Sequence, residues 1–336
     1  MNITFFELEP WERDAFSELK SSHDVRFVDE PLIPENAADH ADAQVISTFI
    51  NSEPDRSVIE QLKNLEMIAT RSTGFDHIDL TACNERSIVV ANVPTYGANT
   101  VAEHVFALLL SISHRMEEAT TRTRKGDFSP RGLTGFDLQG KTLGVIGTGD
   151  IGRHAARIGA GFEMNVIAHD VQPDPDAAEE YGYTYVDFDR LLAESDVITL
   201  HVPANEKTHH LIDEDAFDRM KDGVVLINTA RGSIVDATAL VEALATGKVA
   251  GAGLDVLAEE PVMREEAELL RSVYEKRHNT SALLADSILM RMRNVVVTPH
   301  SAFNTREAVG RILDTTCDNI AHFIDGDPQN VVNKPD

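Results

Sequence analysis

The sequence predicts an α/β chain of two doubly wound parallel-sheet domains, the first of them discontinuous in sequence. Three observations predict it. Strand-like and helix-like segments alternate in two separate series, at about residues 1–98 and again from Lys141 to Pro299. A glycine-rich turn, Gly147-Thr-Gly149-Asp-Ile-Gly152, joins strand to helix in the second series. A last helical segment, Ser301–Phe323, is too short for a core of its own and is placed back on the first series. Alternation of this kind implies parallel strands covered by helices, and 336 residues are long for one core but comfortable for two.

In the first series the expected strands are Ile3–Glu7, Val25–Val28, Gln44–Phe49, Glu66–Arg71 and Ile88–Ala91, with helical pieces at Trp11–Lys20 and Ser57–Leu62. At residue 100 the texture changes. Thr100 and Glu103 form a capping-box pattern. It opens an expected single helix that carries Val101, Val105, Leu108, Leu109 and Ile112 on one stripe and ends near Gly126. The second series then offers strands at Thr142–Ile146, Asn165–Asp170, Val197–His201, Val224–Asn228, Gly251–Val256 and Asn294–Thr298. Residues 262–293 hold two amphipathic helix-like pieces and read as an insertion. The expected domains are therefore 1–99 with 300–336, and 100–299.

Composition excludes several classes of function. With 56 acidic against 30 basic residues the formal charge is −26. No net positive field is available to displace the counterions of nucleic acid, and any anion must be recognised locally. A salt-adapted source is one origin of such a skew, and many acidic bacterial enzymes are another. Apolar runs such as Val105–Leu110 fall far short of the roughly 20 residues that cross a bilayer. The opening Met1–Pro10 reads as a first strand rather than a signal peptide, which makes the cytoplasm the expected location. Cys83 and Cys317 read as two reduced thiols. His209 and His210 are adjacent and no HExxH occurs, so no catalytic metal is expected.

The glycine turn carries the first chemistry. It follows an apolar strand, opens the helical run Ile151–Ile158, and is followed by a second strand ending in Asp170. In a Rossmann-like dinucleotide site Gly147 permits the tight turn, Gly149 lets a pyrophosphate approach, and Gly152 lets helix and strand pack closely. Amides at the helix start would hold the phosphates. The same pattern also occurs as a strand–turn–helix without ligand. Asp170 can accept hydrogen bonds from ribose hydroxyls and would repel a 2′-phosphate. Val171-Gln-Pro173 supplies no arginine for that phosphate, so NAD is the expected cofactor.

A second set of polar residues ends the later strands. Arg231 follows Leu226-Ile-Asn-Thr-Ala, and its planar fork suits the carboxylate and adjacent carbonyl of a 2-oxo acid. Asp255 ends the next strand, Glu260 lies just beyond it, and His300 follows Val295–Thr298 and Pro299. Reduction of a carbonyl needs a proton donor as hydride arrives, and histidine titrates nearest neutrality. A carboxylate beside it would favour the imidazolium and fix the ring. For a histidine taken alone, the structural reading comes before the catalytic one.

With these residues in view the chain resembles the D-isomer-specific 2-hydroxyacid dehydrogenases, D-lactate dehydrogenase-like branch, over nearly its whole length. The carrying motifs are Val93-Pro-Thr-Tyr-Gly-Ala-Asn-Thr-Val-Ala-Glu103, the glycine turn with Asp170, His201-Val-Pro203, Asn228-Thr-Ala-Arg-Gly232, Gly253-Leu-Asp-Val-Leu-Ala-Glu-Glu-Pro261 and Thr298-Pro-His-Ser-Ala302. The resemblance implies a catalytic set of Arg231, Glu260 and His300. It implies a flavodoxin-like substrate domain and an NAD-binding Rossmann domain. The segment Arg71-Ser-Thr-Gly74 resembles a loop whose amides receive the substrate carboxylate, through Ser72, Thr73 and Gly74. Tyr96 matches a substrate-touching tyrosine and reads equally well as a packed turn aromatic.

For the cofactor the resemblance implies contacts at Thr100, at Gly147, Gly149, Asp150, Ile151 and Gly152, and at Asp170. Val202, Pro203 and Thr208 would lie along it, with Thr229, Ala230 and Asp255 at the nicotinamide end. It also implies a homodimer through the cofactor domain, with the Thr100 helix as a candidate contact. Two features depart from simple transfer. Asp150 brings a negative charge into the glycine turn, offset by Arg153 or turned to solvent, and the 262–293 insertion could lengthen the substrate rim. The expected activity is reversible hydride transfer between NADH and a small 2-oxo acid, pyruvate or larger. The rivals are a glyoxylate or hydroxypyruvate reductase and a non-catalytic NAD-sensing scaffold.

Overall fold

The computed structural model describes residues 1–258 and 280–333 and divides into two compact units, Met1–Gly97 with Asn304–Asp336, and Ala98–Phe303. All strand pairs in both sheets are parallel. Among the described residues no helix is long and apolar enough to cross a membrane.

The first unit holds β1 (Asn2–Phe6), β2 (Asp24–Val28), β3 (Val45–Thr48), β4 (Met67–Thr70) and β5 (Val89–Ala91) in the order β2-β1-β3-β4-β5. This is the flavodoxin-like order. β3 and β4 are buried at every residue, as strands covered on both faces must be. The closing helix runs over Arg306–Ile324, later than the sequence suggests, because the Thr305 hydroxyl caps it by accepting from the Ala308 N–H at 3.2 Å. Asparagines fasten this returning segment to the unit. Asn319 donates to the Asn92 carbonyl at 2.8 Å, and Asn333 both accepts from Val90 N–H and donates to the Ile88 carbonyl, each at 2.8 Å.

The second unit holds β6 (Thr142–Ile146), β7 (Asn165–His169), β8 (Thr184–Tyr185), β9 (Val197–Leu200), β10 (Val224–Asn228), β11 (Val249–Leu254) and β12 (Val295–Val297), ordered β12-β11-β10-β9-β6-β7-β8. The chain reverses direction across the sheet between β6 and β9, where an open α/β sheet leaves a crevice at its carboxyl edge. β8 has only two residues on the sheet's edge, too short a run to stand out in the sequence.

The helix expected from Thr100 to Gly126 is two helices, Ala98–Ser113 and Met116–Arg124. The Ser113 carbonyl accepts from Phe136 N–H at 3.0 Å, and Arg115 turns left-handed at φ +50°, so the hydrogen-bond ladder stops there. The first helix begins two residues early. Thr100 therefore lies buried inside its first turn rather than capping it, and Glu103 pairs with Asn99 at 3.3 Å. Its apolar stripe is buried within its own unit, against the Asp150–Gly161 helix and β10–β12.

A buried cation ties together the carboxyl edge of the first sheet. Arg71 is 2% exposed. It donates to the carbonyls of Phe6 and Glu7 and to the Ser47 hydroxyl, at 2.5, 3.0 and 3.0 Å. The Glu7 carboxylate in turn accepts from Phe49 N–H, Asn51 N–H and Ser52 Oγ. Burial pushes the Arg71 guanidinium down to about 10, and the Glu7 and Glu12 charges oppose that shift, so it stays charged at neutral pH. Replacing Arg71 by alanine orphans several buried acceptors, each costing about 1–3 kcal/mol. Arg71→Ala is expected to lower unfolding free energy by about 2–4 kcal/mol, read as an earlier urea midpoint, with Arg71→Lys losing less.

Candidate active site

The parallel sheet of the second unit brings the sequence-predicted residues to one edge. Register pairs Asn228 with Leu254, and Leu254 with Val297. The segments after β10, β11 and β12, carrying Thr229–Arg231, Asp255 and Thr298–His300, therefore leave the sheet side by side. On the other side of β9 lie the glycine turn after β6 and Asp170 after β7.

The Asn228 side chain shapes the loop that presents Arg231. Buried at the end of β10, it accepts from Ala230 N–H at 3.0 Å and donates to the Arg231 carbonyl at 2.9 Å. A Cβ on Gly232 would stand 2.0 Å from the Leu257 carbonyl oxygen, so only glycine lets the two loops close. Arg231 is half-buried and gives one guanidinium N–H to the Ala230 carbonyl at 2.8 Å. The buried Thr229 hydroxyl finds no hydrogen-bond partner among the described residues. Buried hydroxyls are normally satisfied, so this atom fits a ligand group at the place expected for the nicotinamide end.

Asp255 proves to be the centre of a clamp. At 1% exposure its Oδ1 accepts from Thr298 Oγ1 at 2.5 Å and Ser301 N–H at 2.9 Å, and its Oδ2 accepts from Ala302 N–H at 2.9 Å. The Asp255 carbonyl accepts from His300 N–H at 2.9 Å. His104, on the Ala98–Ser113 helix, places Nε2 3.0 Å from Thr298 Oγ1 and 3.5 Å from Asp255 Oδ1. The turn so held keeps His300 at φ +51°, a left-handed conformation that costs a non-glycine residue roughly 1–3 kcal/mol. Glu260, expected beside His300, lies outside the described residues.

At the other end of the edge the glycine turn meets its spacing requirements. Gly147 has φ +93°, and a Cβ on Gly152 would lie 2.0 Å from the Gly147 carbonyl oxygen. A Cβ on Gly149 would meet no protein atom within 4 Å. The chain's own packing does not demand glycine there, whereas a pyrophosphate against the backbone would. Ile151 is half-buried in the first turn of the helix that begins at the exposed Asp150. Arg153 does not pair with Asp150. It donates to the Thr148 carbonyl at 2.8 Å and pairs with Asp174 at 3.0 Å. Asp170 accepts from Thr148 N–H, Thr148 Oγ1 and Gln172 N–H. Burial raises its pKa, but these hydrogen bonds prevail and hold it below the usual aspartate range. Beyond β9, Thr208 donates to the Pro203 carbonyl at 2.6 Å and so closes the Val202–Thr208 loop. Burial pushes His201 down to about 3, which leaves it neutral.

In the first unit the hydroxyls of Ser72 and Thr73 turn back onto the carbonyls of Gly74 and Val93, at 2.6 and 2.8 Å. The N–H groups of Thr73 and Gly74 donate to no acceptor among the described residues, which fits an anion-receiving loop. The Arg71 side chain is turned away into the core. Tyr96 is half-buried, its carbonyl accepting from Arg311 Nε. Asn228, His104 and Thr148 were not singled out by the sequence: the first two act on backbone and carboxylate rather than on ligand, and Thr148 was hidden between two glycines.

Hydrogen bonds from His104, Thr298, Ala302 and Ser301 outweigh the upward push of burial and hold the Asp255 carboxyl below the 3.8 of an ordinary aspartate. The folded protein therefore binds this proton less tightly than the unfolded chain. The stabilisation is fully present above the unfolded value and is lost as pH falls through the folded one. Asp255→Asn is expected to lose about 1–3 kcal/mol at neutral pH. The gap from wild type in urea melts should narrow only as pH drops below 3.8; a gap that is constant with pH would contradict this.

Comparison with known proteins places this geometry in a family. Residues 106–302 match the model of the D-isomer specific 2-hydroxyacid dehydrogenase, NAD binding domain. The chain is 36% identical over 334 residues to the D-lactate dehydrogenase of Escherichia coli strain K12, covering 97% of this chain and 98% of that protein. It is 36% identical over 301 residues to a glyoxylate reductase of Thermococcus litoralis, covering 87% and 84%. A solved D-lactate dehydrogenase from Aquifex aeolicus, complexed with NAD and lactic acid, superposes with a TM-score of 0.86 at 36% identity, covering 100% of both chains. The chain belongs to the D-isomer-specific 2-hydroxyacid dehydrogenases and is an NAD-dependent oxidoreductase.

Proposed function

We propose that the chain interconverts a small 2-oxo acid, of pyruvate size or larger, with its D-2-hydroxy acid. The observation that carries this reading is the alignment of β10, β11 and β12, which sets Arg231, Asp255 and His300 on adjacent segments at one sheet edge. NAD, when bound, takes or supplies the hydride. Thr229, Ala230 and Asp255 would border its nicotinamide, Val202, Pro203 and Thr208 its middle, and the glycine turn with Asp170 its phosphates and adenosine ribose.

Arg231 would hold the substrate carboxylate and draw electron density from the neighbouring carbonyl, as a planar fork does best. The amides of Thr73 and Gly74, with Ser72, form the loop expected to receive a substrate carboxylate. Tyr96 would touch the substrate side chain. His300 would give its proton to the carbonyl oxygen during reduction and accept it during oxidation. Glu260 would fix and charge the imidazole. The Asp255 clamp supports this assignment, because it keeps the His300 turn strained and single-valued.

The relatives support two substrate readings. Likeness to a D-lactate dehydrogenase across the whole chain favours pyruvate or a larger 2-oxo acid, and likeness to a glyoxylate reductase favours the smallest member of the class. Both cysteines are free, which suits a reducing compartment such as the cytoplasm.

NADH oxidation against pyruvate, phenylpyruvate, 2-oxoisocaproate and glyoxylate separates the two. The first three are expected to outpace glyoxylate in kcat/KM, and the reverse order would favour the reductase. Absence of turnover with all four, despite tight NADH binding, would favour a dinucleotide-sensing scaffold. His300→Ala is expected to lower kcat by about 10²–10⁴-fold with NADH affinity unchanged. Arg231→Ala should raise KM for the oxo acid and also slow turnover, with Arg231→Lys restoring little.

A further inference from the structure

We propose that three hydroxyl groups in series, Tyr183 to Tyr185 to Thr148, enforce the choice of NAD over its 2′-phosphorylated form by locking the Asp170 carboxylate from behind. This rests on the reading of Asp170 as the carboxylate that faces the adenosine ribose.

The geometry fixes the direction of every bond. An ionised carboxylate only accepts, so the Thr148 hydroxyl donates to Asp170 Oδ2 at 3.0 Å. With its one proton committed, Thr148 Oγ1 accepts from the Tyr185 hydroxyl at 2.7 Å. Tyr185 in turn accepts from Asp174 N–H at 3.0 Å and from the Tyr183 hydroxyl at 3.3 Å. Each hydroxyl has a single proton, and all of them point toward the negative charge. Hydrogen bonds in such a series polarise one another. Burial, then the Tyr185 hydrogen bond, push the Tyr183 phenol up, which keeps it protonated and donating.

The consequence lies in what Asp170 has left. A carboxylate offers about four acceptor positions. Thr148 N–H and Thr148 Oγ1 take two on Oδ2, and Gln172 N–H takes one on Oδ1, at 2.8 Å. The remaining position, on Oδ1, is available to a hydroxyl that can donate. A 2′-phosphate brings negative charge against a carboxylate that can neither swing aside nor pick up a proton easily. Arg153 braces the same turn through the Thr148 carbonyl and Asp174. Without the series the carboxylate keeps only its two amide bonds, from Thr148 and Gln172, and gains freedom to tilt, so the discrimination weakens although Asp170 itself is unchanged.

The test is equilibrium binding of NADH and NADPH to the full-length protein, followed by nicotinamide fluorescence. Tyr185→Phe and Thr148→Ala are each expected to reduce the ratio of NADH to NADPH affinity about fivefold, the effect of one neutral hydrogen bond. Thr148→Ser, which keeps the hydroxyl, is expected to retain the wild-type ratio. The two link variants break the same contact from opposite ends, so either one reads it if the other fails to fold. Equal loss of both affinities, with the ratio unmoved, would overturn the proposal and leave a structural role only. Asp170→Ala separates the layers. If it leaves the ratio unchanged, the reading of Asp170 fails; if it collapses the ratio while both link variants keep it, the hydroxyl series alone is overturned.

Discussion

The active edge of this protein depends on one buried carboxylate. Asp255 gathers a threonine hydroxyl, two backbone amides and a nearby imidazole, and through its own carbonyl it holds His300 N–H. Burying a charge is costly unless hydrogen bonds replace its water. Here they do, and with them the turn after β12 holds His300 in a left-handed conformation. His300, the proton carrier we propose, thus follows directly from β12 and is tied to the end of β11. Because His104 comes from the helix lying over β10–β12, the clamp also joins the helical layer to the strand layer beside Asp255 and Thr298.

The other end of the same edge works on the opposite principle. Around the glycine turn the constraints are chiefly steric. Gly147 and Gly152 are required by the chain's own close approaches, and Gly149 is not. The Asp170 carboxylate is held ionised chiefly by the Thr148 and Gln172 amides and the Thr148 hydroxyl. In a chain of net charge −26, a carboxylate stabilised this way can repel a phosphate without a compensating base beside it. The Asp150 charge in the turn is exposed and sits at a helix start, where the helix dipole favours an acid.

Much of this was legible in the sequence because parallel sheets write themselves as short apolar runs ending in polar residues. β6 and β10 lie over the residues expected, and Arg231, Asp255 and Asp170 follow strands as their spacing suggests. The errors have physical causes. The long helix broke at Arg115 because Phe136, distant in sequence, captures the Ser113 carbonyl. The Thr100–Glu103 box failed because tertiary burial of Thr100 outweighs a cap worth about 1 kcal/mol. Arg71 read as the last residue of a strand entering the substrate loop, and only the fold reveals that its partners are the ends of β1 and β3. Tyr185 could have been suspected from the period-two run Tyr183-Thr-Tyr185-Val186, but its link to Thr148 is made across β7 and no local pattern encodes it.

The proposed reaction requires the carboxyl edge of the second sheet to direct hydride to one face of a 2-oxo acid. The most direct measurement follows the label from NADH dideuterated at C4 into the product of each active 2-oxo acid, by proton NMR and chiral chromatography. The expected product is a D-2-hydroxy acid bearing deuterium at C2. Product of the L configuration, or product without deuterium at C2, would contradict it.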